Sequence, residues 1–263
     1  MMYKANSKDQ SRVLDLLKDD PSRSLFITGD ILQNGMECDF QEVWLDEDDL
    51  GVHVIYLRYR SNLILYVVDE VIDHQACVDL IQDPRIHMVS GTLQHFNFIP
   101  EELREKLEIH PMYYCECKTL KPGNYSAIKA KQEDVQGICV GLADITEFNR
   151  LEALPLQERI QTMTKEFENN TKVAFILKED GKVVAHAASS AQSNVGLMVV
   201  AVFTLEAYRH RGYARQVVGA LTQWSLDQGL IPCLFYDNPQ AGKLYHDLGY
   251  VTFDQWVIGK KMI

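Results

Sequence analysis

The stretch from Val199 to Ala220 reads V-V-A-V-F-T-L-E-A-Y-R-H-R-G-Y-A-R-Q-V-V-G-A and constrains the fold more than any other part of the chain. An apolar, β-branched run ends near Thr204, a short polar turn follows, and Arg209-His-Arg-Gly-Tyr-Ala214 leads into a helical pattern. Ala214, Val217, Val218 and Leu221 recur at helical spacing on one face, and Gly229 stands where a helix C-terminus favours glycine. The reading is strand, loop, helix, with Gly212 at the helix start. Such a junction suits an anion, because the first amides of a helix lack intrahelical acceptors and carry the positive end of its dipole. Gly212 lets the backbone come close to a diphosphate, and Arg209 and Arg211 add positive charge there. An ordinary surface turn with solvated arginines is the plain alternative.

Arg209-x-x-Gly212-x-Ala214 after a strand resembles the Q/R-x-x-G-x-G/A signature of the GNAT N-acetyltransferase superfamily. Downstream, Asn238-Pro-Gln-Ala241-Gly-Lys-Leu244-Tyr245-His-Asp-Leu248-Gly249-Tyr250 resembles its second signature, N-x-x-A-x-x-L-Y followed by L-G-F/Y. Together the two runs look most like the glycine N-acyltransferase-like branch, in which a catalytic C-terminal domain follows a diverged GNAT-like half. The motif resemblance covers residues 195–255 best and is only architectural before residue 126.

That resemblance implies an α+β fold in two domains. Residues 1–122 would form a smaller, mixed, diverged GNAT-like domain. Residues 123–263 would form the catalytic domain, with a mixed, largely antiparallel sheet flanked by helices. It also implies acetyl-CoA as acyl donor. Val202, Phe203 and Thr204 would hold the pantetheine arm by their backbone. Arg209, His210, Arg211, Gly212, Tyr213 and Ala214 would cradle the diphosphate, with Asn238 touching the CoA arm. Tyr245 would protonate the departing thiolate, and a phenol with a reference pKa of about 10 can donate to a thiolate whose reference is about 8.5. The bland counterparts are a buried strand, a helix N-cap at Asn238 and a packed tyrosine. For a general base, His186, Glu206 and Asp237 qualify by residue type only.

The remaining chain sets the context. With 263 residues, one large or two modest domains fit. No apolar run is long enough to span a bilayer, and the N-terminus lacks a secretory apolar core, which points to the cytoplasm. Cys38, Cys77, Cys115, Cys117, Cys139 and Cys233 show no C-x-x-C pair and read as free thiols. A metal site at Cys115, Cys117 and His110 is conceivable, but Tyr113 to Thr119 alternates as a strand does, so no metal is expected. Residues 1–124 hold 12 Lys and Arg against 22 Asp and Glu, whereas residues 125–263 hold 14 against 15. That argues against nucleic acid as a partner and would steer a cationic amine, although excess acid also serves solubility.

Helices are expected at Ser7–Lys18, His74–Ile81, Pro100–Leu107 and Leu156–Glu168, the last with Ile160, Met163 and Phe167 on one face. Strands are expected at Ser24–Thr28, Phe40–Leu45, Val52–Tyr59, Asn62–Val68, Ile86–Ser90, Ser126–Lys131, Val173–Leu177, Val183–Ala188 and Ile231–Tyr236. Asp46–Asp49 reads as a solvated acidic loop. Glu179-Asp-Gly181 reads as a hairpin turn, and Gly137–Gly141 as helix packing or a loop. We therefore expect an acetyl-CoA-dependent N-acyltransferase acting on a small-molecule amine, without membrane or nucleic acid, and leave a homodimer open. The rivals are a CoA-binding regulatory or interaction protein without turnover, and a GNAT relic that binds nothing.

Overall fold

The computed structural model describes residues 1–69, 73–145 and 155–262. The chain separates into two compact units. One comprises Met1–Cys115 with Phe235–Pro239 and Thr252–Ile263; the other comprises Glu116–Leu234 with Gln240–Val251. The cut thus falls at 115/116, and the end of the chain packs with the first unit.

In the first unit, β1 (Met2–Lys4), α1 (Gln10–Leu17), α2 (Leu25–Asn34), β2 (Glu37–Cys38), β3 (Gln41–Asp48), β4 (Gly51–Tyr59) and β5 (Asn62–Val67) come first. They are followed by α3 (His74–Gln82), β6 (Met88–Thr92), the single turns α4 (Leu93–Phe96) and α5 (Glu101–Arg104), and β7 (Leu107–Glu116). The sheet order is β1-β3-β4-β5-β6, then the terminal strand Val251–Lys261, then β7. The terminal strand joins this unit because Trp256 to Lys260 pair antiparallel with Thr92 to Met88. β1 with β3, β3 with β4 and β4 with β5 pair antiparallel, and β5 with β6 pairs parallel. A hairpin at Arg60-Ser61 joins β4 to β5, closed by Tyr59 opposite Asn62, with Arg60 at φ 55°. Its core is aliphatic around Val54, Leu65, Leu80 and Val89, while Phe26, Tyr114, Phe235 and Trp256 pack ring to ring.

Three expectations fail in this unit. Ser24–Thr28 is not a strand but enters α2: the Thr28 amide donates to the Ser24 carbonyl at 2.8 Å, closing a helical turn. A short apolar run does not distinguish a strand from a buried helix by periodicity alone. The acidic run is not a solvated loop either, since Asp46, Glu47 and Asp48 belong to β3. Asp46 is buried and accepts from the Asp73 amide, Glu47 pairs with Arg12, and Asp48 pairs with His53. Three of its four charges are locally matched, so this run is a poor source of long-range field. Pro100–Leu107 shrinks to the single turn α5, and the chain is extended again from Leu107.

The second unit holds β8 (Ile128–Lys129), α6 (Val135–Ala143), α7 (Leu156–Glu168), β9 (Ala174–Glu179), β10 (Lys182–Ser190), β11 (Gly196–Thr204), α8 (Tyr213–Asp227), β12 (Ile231–Tyr236) and α9 (Pro239–Leu248). Its strands run in the order β12-β11-β10-β9-β8, antiparallel except for β11 with β12. The Glu179-Asp-Gly181 hairpin forms with Asp180 at φ 48° and Gly181 at φ 79°, the left-handed pair that matches strand twist. The Gly137–Gly141 spacing is helix packing. On α6, a Cβ at Gly137 would lie 3.0 Å from the Val183 side chain and one at Gly141 would lie 2.4 Å from the Phe203 ring. Met163 of α7 is buried, with Ile160 and Phe167 packed on the same cluster as expected. The fold is thus α+β, with mixed, mostly antiparallel sheet and flanking helices. No described helix is long and apolar enough to cross a membrane.

Candidate active site

The two neighbours of β11 leave its C-terminal half in an unusual state. Against β12 it pairs only at Gly196↔Ile231, Leu197↔Pro232 and Met198↔Cys233, so the pairing stops well short of Thr204. Against β10 the register slips, with His186 opposite Phe203 but Ala188 opposite Val200. Ala187 therefore faces both Ala201 and Val202, which is a β-bulge, and Ala201 sits at φ 53°. Phe203 is buried under Gly141, whereas Val202 and Thr204 are half-buried.

After Thr204 a single 3-10 turn, Glu206–Tyr208, leads to the loop. The Arg209 Nε donates to the Thr204 carbonyl at 3.2 Å, and the Arg211 guanidinium lies 5.3 Å from the centre of the Tyr208 ring. Both arginines are exposed, and neither forms an ion pair among the described residues. Two left-handed residues, His210 at φ 62° and Gly212 at φ 77°, turn the chain into α8. The first helical bond runs from the Gln216 amide to the Gly212 carbonyl at 3.2 Å. Ahead of it, the amides of Tyr213, Ala214 and Arg215 have no acceptor within the helix, and no side chain caps it. An addition the sequence did not suggest is the Tyr213 hydroxyl donating to Glu179 on β9.

Val202 to Ala214 thus form one continuous strand, turn and helix start. Tyr245 lies in the same unit on α9, 7% exposed, with its ring edge-on to Tyr250 at 5.9 Å between centroids. Tyr250 is anchored in turn, its hydroxyl 2.7 Å from the Thr222 hydroxyl of α8. Arg215, in the first turn of α8, donates to the Asp247 carbonyl of α9 at 3.3 Å. Gly249 closes the second motif because space demands it: at φ 112°, a Cβ would lie 2.4 Å from the Thr119 carbonyl oxygen. Asn238 is exposed immediately before α9 and groups with the first unit.

Of the residues considered for a general base, Glu206 and Asp237 are exposed and His186 is sealed in the core. Burial pushes the His186 pKa down to about 4, so the ring is neutral. All six cysteines are free thiols. Among the described residues, no group of three or more His, Cys, Asp or Glu side chains is placed to hold a metal ion. Missing from the sequence reading were the Ala201 bulge, its contact with His186, and Tyr125, whose ring fills the space where Gly219 lacks a Cβ. Only the glycine within the α8 pattern could have signalled the last.

Residues 140–250 match the model of the acetyltransferase (GNAT) family. No curated protein matches the chain. In fold it resembles a GCN5-related N-acetyltransferase from Sphaerobacter thermophilus, at TM-score 0.68 and 12% identity over 99% of this chain and 95% of that one. An acetyltransferase of the GNAT family from Colwellia psychrerythraea aligns at TM-score 0.63 and 12% identity, over 100% of both chains. A tandem GNAT protein from the clavulanic acid biosynthesis pathway aligns at TM-score 0.60 and 10% identity, over 98% of this chain and 97% of that one. At such identities the likeness concerns fold, and its extent fits two GNAT-like halves. The family match over residues 140–250 and the fold match over the whole length together support the GNAT acetyltransferase superfamily as the family this chain resembles.

Proposed function

We propose that the protein is an acyl-CoA-dependent N-acyltransferase that moves an acetyl group from acetyl-CoA to the primary amine of a small molecule. The observation that carries this is the uncapped start of α8. Three amides without helical acceptors, two arginines with no ion pair among the described residues and two left-handed residues converge at Gly212, directly after a strand that has parted from its parallel neighbour. Oriented amides and a helix dipole bind a diphosphate without desolvating a buried cation. The arginines add charge that keeps its solvent contact.

In this mechanism Arg209 to Ala214 hold the diphosphate and the backbone of Val202 to Thr204 holds the pantetheine arm, assisted by Asn238. The neutral acceptor amine attacks the thioester carbonyl and the backbone near Val202 stabilises the developing oxyanion; as the C–S bond breaks, Tyr245 gives its proton to the thiolate, and the proton lost by the amine nitrogen passes through solvent to restore the phenol. Acetyl-CoA is taken as donor because it is typical of the family, and six free thiols fit a reducing compartment such as the cytoplasm.

Tyr245→Phe tests the assignment. Single-turnover acetylation should slow by about 10–100-fold, while acetyl-CoA affinity moves less than about threefold, because the hydroxyl acts only as thiolate charge develops. An unchanged rate would remove Tyr245 from the chemistry. Wild-type protein that holds CoA yet acetylates nothing across a broad amine panel would favour a regulatory CoA-binding protein instead.

A further inference from the structure

His186 lies on β10 with 0% of its surface exposed and its ring stacked on Phe203 at 5.4 Å and 25°. Its Nδ1 is 2.8 Å from the Ala201 carbonyl oxygen. A carbonyl oxygen only accepts, so Nδ1 carries the proton and, in the neutral ring, Nε2 carries the lone pair. That Nε2 is buried with no hydrogen-bond partner among the described residues. An unpartnered buried acceptor is destabilising, because it gives up its hydration and gains no partner. An apolar ring would avoid that cost, so what the imidazole adds at this position is its donor to Ala201.

The acceptor is equally particular. Ala201 is the bulged residue, at φ 53°, a left-handed conformation that is strained for any residue but glycine. Its carbonyl turns onto a side chain instead of onto the β10 backbone. In a planar trans peptide the C=O and the following N–H point in opposite directions. Holding the Ala201 carbonyl on the His186 ring therefore aims the Val202 N–H away from that ring.

We infer that His186 is a positioning residue, whose Nδ1–H clamps the Ala201–Val202 peptide so that the Val202 amide is preset to donate to the acyl carbonyl of a bound thioester. The inference rests on the acyltransferase function proposed above for this strand. His186 itself touches neither donor nor acceptor. Without the clamp, the peptide can rotate back towards the ladder, and the oxyanion donor is lost when charge develops.

Two variants separate this role from packing. His186→Asn keeps a donor close to the position of Nδ1 but is smaller; His186→Phe keeps the flat ring and the stack but has no donor. We expect His186→Phe to lower kcat by about 10–100-fold with KM for acetyl-CoA changed less than about threefold, the pattern of a lost transition-state donor. His186→Asn should recover most of that kcat. Packing alone predicts the reverse order, with asparagine the more damaging because it leaves a cavity. Melting curves of both variants confirm that they are folded. Independently of activity, long-range ¹H–¹⁵N correlation on histidine-labelled wild-type protein should show His186 protonated at Nδ1 from pH 5 to 8. An Nε2–H ring, a His186→Phe variant as fast as wild type, or asparagine no better than phenylalanine overturns the clamp. A wild type that neither binds CoA nor acetylates any amine, with the Nδ1–H signature present, overturns the acyltransferase function and with it the oxyanion role of the Val202 amide.

Discussion

Replacing Gly212 by aspartate puts a carboxylate where the diphosphate of CoA is proposed to sit. Two effects must be separated. Gly212 has φ 77°, and a Cβ there meets nothing within 4 Å, so any side chain pays only for the backbone conformation. For alanine that cost is about 1–2 kcal/mol; aspartate, which visits the left-handed region more readily, costs less. Folding stability should therefore fall slightly more in Gly212→Ala than in Gly212→Asp. Binding should rank them the other way. Unit charges 5 Å apart repel by about 3 kcal/mol at an effective dielectric of about 20. Screening at physiological salt, with a Debye length of about 8 Å, roughly halves this for an exposed loop. Two phosphate charges at slightly different distances then give about 2–3 kcal/mol, or about 30–150-fold weaker binding of acetyl-CoA. Gly212→Ala should lose only a few-fold, since it keeps the amides and both arginines. Calorimetry at 50 and 300 mM salt reads both quantities, with the Gly212→Asp penalty shrinking at high salt. Equal affinity in wild type and Gly212→Asp would refute the assignment of this loop to the diphosphate, whatever the melting temperatures show.

Ala201→Gly should raise stability by about 0.5–1 kcal/mol by relieving the left-handed alanine, and a denaturant melt showing a loss instead would mean the bulge is not strained. Gly249→Ala should cost at least about 3 kcal/mol or prevent folding, since its Cβ would meet the Thr119 carbonyl at 2.4 Å; a melt near that of wild type would contradict the close approach. The hydrogen bond of His53 Nδ1 with Asp69, and the approach of its Nε2 to Asp48 at 2.9 Å, raise its pKa above the usual 6.5. The stability they contribute is complete below about pH 6.5 and is lost as pH rises through the raised folded value. Melting temperatures across pH 5.5–8.5 should fall in wild type and stay flatter in His53→Gln, and parallel curves would show that this histidine is not responsible.

Much of the local geometry around the candidate site was legible in the residues themselves. Gly212 and Gly229 bracket α8 because a left-handed position favours glycine wherever the chain folds, and Glu179-Asp-Gly181 demands its hairpin for the same local reason. The faces of α7 and α8 follow from a period of 3.6 residues that needs no partner to be read. What failed or went unseen depends on groups distant in sequence. Ser24 to Thr28 is helical although a short apolar run fits either state, and Asp46 to Asp48 become strand because Arg12, His53 and the Asp73 amide meet their carboxylates. Gly249 matched a motif, but its physical reason is the Thr119 carbonyl pressed against it across more than a hundred residues of chain. The bulge at Ala201 leaves no trace in composition, since alanine in an apolar strand signals nothing unusual. It exists because β10 and β11 pair with one residue too many, and His186 receives the carbonyl that this excess turns out of the ladder. Local backbone preference is written along the sequence, whereas register and the partners of buried polar groups are decided only when separated strands meet.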